Sequence, residues 1–169
     1  SGRCTFKEEV KKMDKKELGE MMIAGTDEFY RIAKSILKED ADCQDAVQEA
    51  VSKAFAKIDT LREKKYAKTW FTRILLNECY GMLRQRKREA SYNEQISGEE
   101  ADQHQYSDLY QKIMALEIEY RMPLVLYYLN QYTIKEIGQM LNLGESAVKM
   151  RLSRARKMMR RMYEQEDAV

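Results

Sequence analysis

A positively charged stretch near the end of the chain carries the side chains best suited to bind a nucleic acid. Positions 149 to 161 hold seven Lys or Arg residues and no acidic residue. Lysine and arginine neutralise phosphates, and hydroxyl groups bond to phosphates or base edges. Apolar residues recur here at helical spacing, with an inner face of Val148, Leu152, Ala155, Met159 and Met162. The opposite face of the predicted helix then presents the candidate DNA contacts: Ser146, Lys149, Met150, Ser153 and Arg154.

The residues just before this stretch predict a second, shorter helix and a tight turn. Thr133 and Glu136 have the spacing of a capping box, and apolar residues follow on one face. Asn142 should end that helix, because asparagine tolerates the left-handed conformation of a sharp corner, and Gly144 can cap the next one. A short helix, a tight turn and a longer basic helix make a helix-turn-helix, whose second helix fits the major groove.

An alternative interpretation is a helical hairpin whose basic face is only solvated. The formal net charge of the chain is only +2, so its overall charge does not indicate strong binding to nucleic acid. The charges are segregated, however, because positions 89 to 108 hold six acidic residues and no Lys or Arg. This segregation, with the basic helix at the end of a helix-turn-helix, favours DNA binding.

A second polar ridge lies on a helix predicted over residues 68–88. Its inner face is apolar, and its outer side aligns arginine, asparagine and aromatic residues: Trp70, Arg73, Asn77, Tyr80 and Arg84. Arginine binds phosphates, asparagine bonds to base edges, and tryptophan and tyrosine stack on unpaired bases. The alternative is structural, with Trp70 in the core and the arginines favoured by the helix dipole. Without further context the two interpretations are equally good.

The rest of the sequence gives no indication of a catalytic or metal-binding site. The helix predicted over residues 42–58 groups Asp45, Gln48 and Glu49 on its outer side, which alone is an ordinary solvated face. His104, the only histidine, has no partner that would make a metal or catalytic site. The three cysteines lack any close pair, which argues against disulfides and zinc and favours the cytoplasm. We expect no active site, no metal and no cofactor.

Composition and periodicity predict an all-α protein with two small helical domains. One proline and seven glycines in 169 residues leave little material for hairpins, and apolar residues recur at three and four positions. Residues 1–89 form the first predicted domain, residues 90–105 a flexible acidic linker, and residues 106–169 the helix-turn-helix domain. Pro123 should lie in the first turn of a helix in that second domain. No apolar run reaches the length of a membrane span.

Two separated blocks of sequence resemble the extracytoplasmic-function (ECF) sigma factors, members of the sigma-70 family of bacterial RNA polymerase. The first block is DCQDAVQEAVSKAF at 42–55 followed by TWFTRILLNECYGMLRQRKR at 69–88. The second contains EYRMPLVLYY at 119–128 and TIKEIGQMLNLGESAVKMRLSRARK at 133–157. The blocks cover most of the chain and keep the family's order, with the expected variable linker between them.

The resemblance assigns a partner to each polar face. It implies that Asp45, Gln48 and Glu49 contact the largest subunit of core RNA polymerase, and that the helix-turn-helix domain docks on the second-largest. It implies that the ridge of Trp70 opens the minus-10 element of promoter DNA, and that the basic helix reads the minus-35 element. An anti-sigma factor is a further partner that the family admits.

Two other functions remain open at this stage. A free-standing helix-turn-helix regulator would use its first domain for sensing or dimerisation and would bind an operator without polymerase. A helical adaptor would use the same basic faces to grip acidic proteins. The resemblance favours a transcription initiation factor over both.

Overall fold

The computed structural model describes residues 10–92 and 107–168, and every regular element in these two ranges is helical. The α-helices are α1 Lys15–Ala24, α2 Thr26–Lys34, α3 Asp40–Ala56, α4 Ala67–Tyr92, α5 Asp108–Ala115, α6 Ile118–Leu124, α7 Ile134–Leu141 and α8 Glu145–Asp167. Short 3-10 turns cover Ile58–Thr60 and Lys64–Tyr66, and a π-helical turn covers Val125–Leu129. The predicted all-α class is confirmed. None of these helices is long and apolar enough to cross a membrane.

The first four helices surround an apolar core that positions α3 and α4. Asp14 and Glu17 form a reciprocal capping box that starts α1. The rings of Phe29 and Phe71 meet edge to face at 4.6 Å in the centre of this core. Gly25 separates α1 from α2 without a side chain, because a Cβ atom there would lie 2.6 Å from the Phe29 ring. This close packing fixes which faces of α3 and α4 point outward.

The helix-turn-helix has the structure that its sequence predicts. The Thr133 side chain accepts a bond from the Glu136 backbone, and Glu136 accepts one in return, so the predicted capping box opens α7. Asn142 ends that helix in the left-handed conformation, at φ 55° and ψ 49°. Gly144 is the N-cap of α8. The buried residues of α8 are Val148, Leu152 and Ala155, which leaves the opposite face to solvent.

Two predicted boundaries are wrong. Helix α3 begins at Asp40 rather than Asp42, whose carboxylate is buried and accepts a bond from Arg86 at 2.5 Å. Pro123 lies near the end of α6 rather than in a first turn. A proline removes one backbone donor, and the chain passes directly from α6 into the π-helical turn. Most of the predicted linker, including His104, lies outside the described residues, and α4 continues to Tyr92.

The two groups of helices pack against each other. Helix α4 lies along α7, and one apolar cluster contains residues from both groups. Leu75 and Leu76 of α4 belong to the same cluster as Leu126, Ile137 and Met140. A smaller cluster joins α5 and α6 to α8. The relative placement of the candidate DNA-binding faces therefore follows from direct contact between α4 and the helix-turn-helix.

Candidate nucleic-acid interface

The polar members of the α4 ridge face solvent. Arg73, Asn77 and Arg84 are exposed, whereas Trp70 and Tyr80 are half-buried. Their alignment follows from the helix, because the apolar face of α4, which includes Phe71, Leu75 and Cys79, is buried in the core and turns the opposite side outward. The five predicted residues thus lie along one helix, with the two arginines and the amide exposed and the two aromatic rings half-buried. A surface of this kind can bind phosphates and stack on bases.

Tyr80 lies where the ridge meets the second group of helices. Together with Ile118, Met122, Leu141 and Arg151 it lines a cleft of about 260 Å³. Burial raises the pKa of Tyr80 to about 12, and its hydroxyl group is therefore protonated at neutral pH. Leu141 and Arg151 of the helix-turn-helix line the same cleft, and the Tyr80 side chain is half-buried. Its stacking surface is only partly accessible as a result.

One aromatic residue just before α4, in the 3-10 turn Lys64–Tyr66, had no part in the sequence interpretation. Tyr66 is 49 % exposed, and the Lys65 ammonium group lies 5.0 Å from the centre of its ring. Tyr66 precedes Trp70 by one helical turn, so it extends the aromatic margin of the ridge. The four-residue spacing between Tyr66 and Trp70 could have indicated that Tyr66 belongs to the ridge. The sequence analysis left Tyr66 out because the predicted helix began after it.

The outer face of α8 is the second candidate surface. Ser146, Lys149, Met150 and Arg154 are exposed, and Ser153 is half-buried. The described side chains make no salt bridge to Lys149 or Arg154, so both cations are available to a ligand. Met150 is 45 % exposed and gives the face an apolar centre. The arrangement resembles that of a recognition helix, in which cations can bind phosphates and short side chains can approach base edges.

The candidate polymerase-binding residues lie together on α3. Asp45, Gln48 and Glu49 are exposed and occupy one side of the helix. Lys53, one turn further along, pairs with Glu49 at 3.8 Å and with Glu78 of α4 at 2.5 Å. Glu78 lies on α4 and had no part in the sequence interpretation. The pair adds a polar contact between α3, which carries the acidic face, and α4, which carries the ridge.

The two described thiols are unsuited to nucleophilic or redox chemistry. Cys43 and Cys79 are both free and buried. Burial raises the pKa of Cys43 to about 11 and that of Cys79 to about 12. Since the thiolate is the reactive form, both groups are inert at neutral pH. They act as small apolar residues of the core.

Comparisons with known proteins agree with this geometry. Residues 26–89 match the model of sigma-70 region 2, and residues 106–159 match that of sigma-70 region 4. The chain is 30 % identical over 144 residues to RNA polymerase sigma factor SigV of Bacillus subtilis, covering 83 % of this chain and 87 % of that protein. It is 27 % identical over 172 residues to ECF RNA polymerase sigma factor SigW of the same organism, covering 90 % and 92 %.

Solved structures show the same fold. One is the sigma factor RpoE of Bartonella quintana in complex with the anti-sigma factor NepR, with a TM-score of 0.75 and 22 % identity. That match covers 88 % of this chain and 98 % of that one. Another is CnrH in complex with the cytosolic domain of CnrY, with a TM-score of 0.70, 19 % identity and 90 % coverage of both chains. With both region models matched in order, the chain belongs to the ECF sigma factors of the sigma-70 family, which are transcription initiation factors.

Proposed function

We propose that this protein, acting in the cytoplasm without catalysis of its own, binds core RNA polymerase and directs it to promoters through two DNA-binding surfaces. The main support for the proposal is that this sigma factor has two exposed polar surfaces, on α4 and on α8, which differ in chemistry. The α4 ridge combines cations with aromatic rings, and the α8 face is a cationic recognition helix. The first suits unpaired bases, and the second suits duplex DNA.

The α4 ridge would bind and open the minus-10 element. Arg73 and Arg84 would hold phosphates, and Asn77 between them would bond to a base edge. Trp70 and Tyr80 would stack on bases that have left the duplex. The exposure of the three polar residues supports this assignment. Tyr66 and Lys65, next to Trp70, would extend the same surface toward the start of the helix.

The α8 face would read the minus-35 element in the major groove. Lys149 and Arg154 would contact phosphates or guanine edges, and Ser146 and Ser153 would bond to bases or phosphates. Met150 would make apolar contacts, for which thymine methyl groups are the natural partners. All but Ser153 are exposed, which supports the assignment.

The free energy of a few base contacts explains why a sigma factor needs the polymerase to bind promoters specifically. A bidentate base contact contributes about 1 to 3 kcal/mol, and a specific site is preferred over random DNA by about 4 to 10 kcal/mol. One short α8 face provides few such contacts, so two surfaces acting on one promoter are needed. The acidic face of α3 would dock on the largest subunit of the polymerase, and the helix-turn-helix domain on the second-largest.

An anti-sigma factor is a second partner that we infer for this chain. In two solved structures of similar fold the chain is bound to a partner: RpoE to the anti-sigma factor NepR, and CnrH to the cytosolic domain of CnrY. Such a partner would compete with the polymerase for the exposed faces of the helices.

Sedimentation with purified bacterial core polymerase tests the proposal. We expect the native chain to co-sediment with the core enzyme, and Asp45→Lys to weaken this association about tenfold by placing a cation on an acidic contact face. Glu20→Lys, a matched charge reversal on the exposed surface of α1, should bind normally. A chain that binds operator DNA tightly by itself and ignores the polymerase would contradict the proposal and favour a free-standing regulator.

A further inference from the structure

One methionine differs from all the others in its exposure to solvent. All eleven methionines lie within the ranges that the structure describes, and every one except Met150 is buried or half-buried. The two described thiols, Cys43 and Cys79, are buried as well. A dissolved oxidant has to reach a sulfur atom in order to react with it, so susceptibility to oxidation follows exposure. Met150 is therefore the described sulfur-containing residue that such an oxidant reaches most easily.

The other methionines of α8 are partly shielded by packing. Met158, Met159 and Met162 are half-buried against the apolar cluster that joins α5 and α6 to α8. Met150 follows the buried Val148 by two residues, which places it about 200° around the helix and on the outer side. Helix α8 thus shields three of its four methionines and exposes the fourth.

The exposed methionine lies within the face that we assign to the minus-35 element. Lys149 and Arg154 of this face are exposed, like Met150 itself. Arg154 follows Met150 by four residues, so the two side chains are neighbours on the helix surface. The Met150 thioether is apolar and suits a thymine methyl group, as proposed above. The chemical state of Met150 therefore affects an apolar contact surface and the surroundings of a neighbouring cation.

Hydrogen peroxide converts an accessible thioether to a sulfoxide. The sulfur lone pair attacks one peroxide oxygen and the O–O bond breaks. The proton of the transferred oxygen passes to the other oxygen, which leaves as water, so the sulfur loses the two electrons that the peroxide gains. A sulfoxide is polar, and its oxygen accepts hydrogen bonds far better than a thioether does. At position 150 it removes the apolar contact surface and gives Arg154 an acceptor on its own helix.

We propose that Met150 is an oxidation site through which peroxide weakens minus-35 binding by this sigma factor. The effect on promoters rests on the proposed function, whereas the selective oxidation of Met150 does not depend on it. Methionine sulfoxide reductases reduce the sulfoxide again, so the change is reversible. The modification acts on the DNA-reading face directly and leaves the acidic face of α3, on another helix, unchanged.

Peptide mass spectrometry after brief treatment with hydrogen peroxide tests the site in the full chain. A Cys4→Ser background removes the reaction of that thiol. We expect Met150 to gain one oxygen atom about tenfold faster than Met21 and Met158, which are half-buried. In urea the three rates should become equal, since the difference arises from the fold. Oxidation of Met150 no faster than that of the other two in the folded chain would overturn the proposal.

Binding of the holoenzyme to a promoter fragment tests the effect on DNA. The fragment is one that the native holoenzyme selects from the organism's own genome, and catalase removes the peroxide before core enzyme is added. Oxidation should weaken binding about fivefold, because an apolar contact is replaced by a polar group. Met150→Gln, with a polar side chain of similar length, should bind as weakly without any oxidant. Methionine sulfoxide reductases should restore binding by the oxidised native chain.

Two leucine variants separate Met150 from the other methionines. Met150→Leu keeps an apolar side chain of similar volume and should bind equally well before and after peroxide treatment. Met21→Leu, on α1, is the matched control and should lose binding on oxidation as the native chain does. Unchanged binding after complete oxidation of Met150, or an equal loss in Met150→Leu, would overturn the proposal. If Met150 oxidises first but no form of the holoenzyme selects DNA, the oxidation site stands and the proposed function fails.

Discussion

The ammonium group of Lys53 lies 2.5 Å from the carboxylate of Glu78, joining the middle of α3 to the middle of α4. Helix α3 carries the proposed polymerase contacts, and α4 carries the proposed minus-10 contacts. The pair sits at the junction of these helices, with Glu78 half-buried. If α3 docks on the polymerase as proposed, the orientation of the proposed DNA-binding ridge on α4 is set at the same time, because the two helices pack together.

Changing Glu78 to Gln should lower Tm by about 1 to 3 °C, because a partly exposed ion pair contributes modestly to stability. The hydrogen bond from Lys53 to Glu78 raises the pKa of that lysine above its usual 10.5. A raised lysine pKa stabilises the fold fully below pH 10.5, and this stabilisation is lost as the pH rises through the folded-state pKa. Thermal unfolding should show the difference in Tm between Glu78→Gln and the native chain at pH 7, and a smaller difference above pH 11. The exposed control Glu20→Gln should show no difference at either pH.

Alkaline unfolding reports on the buried thiol of Cys79. Burial raises its pKa from 9.0 to about 12, so between these values the unfolded chain has lost a proton that the folded chain keeps. Stability should then fall with rising pH by about 1.4 kcal/mol per unit for this group. In Cys79→Ala that part of the slope should be absent, although the variant is less stable at neutral pH. Urea titrations from pH 8 to 12 measure both slopes, and equal slopes would contradict the assignment.

The minus-10 assignment predicts a defect in promoter opening without a defect in assembly. Asn77 is exposed, so Asn77→Ala should fold normally and bind core polymerase as the native chain does. Opening should fall about tenfold, in line with the loss of a base contact. Permanganate reactivity of promoter thymines measures opening, and a pull-down measures assembly. Arg31→Ala, an exposed change on α2, is the control, and loss of assembly together with opening would count against the assignment.

Two substitutions on α8 should have different effects on minus-35 binding by the holoenzyme. If Lys149 contacts a phosphate, Lys149→Ala weakens binding to all sequences and lowers the salt dependence by about one unit of slope. If Arg154 contacts a guanine, Arg154→Ala costs about 1 to 3 kcal/mol and relaxes the preference at one base pair. Footprinting on matched and altered minus-35 sequences at several salt concentrations separates the two. Lys16→Ala on α1 should behave as native, and native-like footprints from both α8 variants would contradict the assignment.

Local spacing was sufficient to predict the helix-turn-helix. The Thr133 and Glu136 capping box, the left-handed Asn142 and the buried Val148 all follow from interactions within a few residues. The exposed Arg73 on α4 follows from the same periodicity, since the apolar stripe decides which side is covered. These features depend on backbone geometry that each short segment determines by itself.

Contacts between distant residues could not be predicted in this way. The Glu28 to Tyr132 bond joins positions 104 residues apart, and nothing in either local pattern indicates it. Glu78 had no predicted role because its partner Lys53 lies on another helix. Pro123 was placed in a first turn because its ring suits that position, but packing of α6 extended the helix upstream of it. The Glu28 to Tyr132 bond, the Lys53 to Glu78 pair and the position of Pro123 in α6 all depend on tertiary packing.

The most direct test of the central claim is run-off transcription with bacterial core polymerase and this protein on fragments of the organism's own genome. We predict transcripts with defined start sites that depend on the native chain and are strongly reduced by Asn77→Ala and by the double change Lys149→Ala with Arg154→Ala. Transcripts that are the same with and without the protein, from a core enzyme that is active with another sigma factor, would contradict the claim.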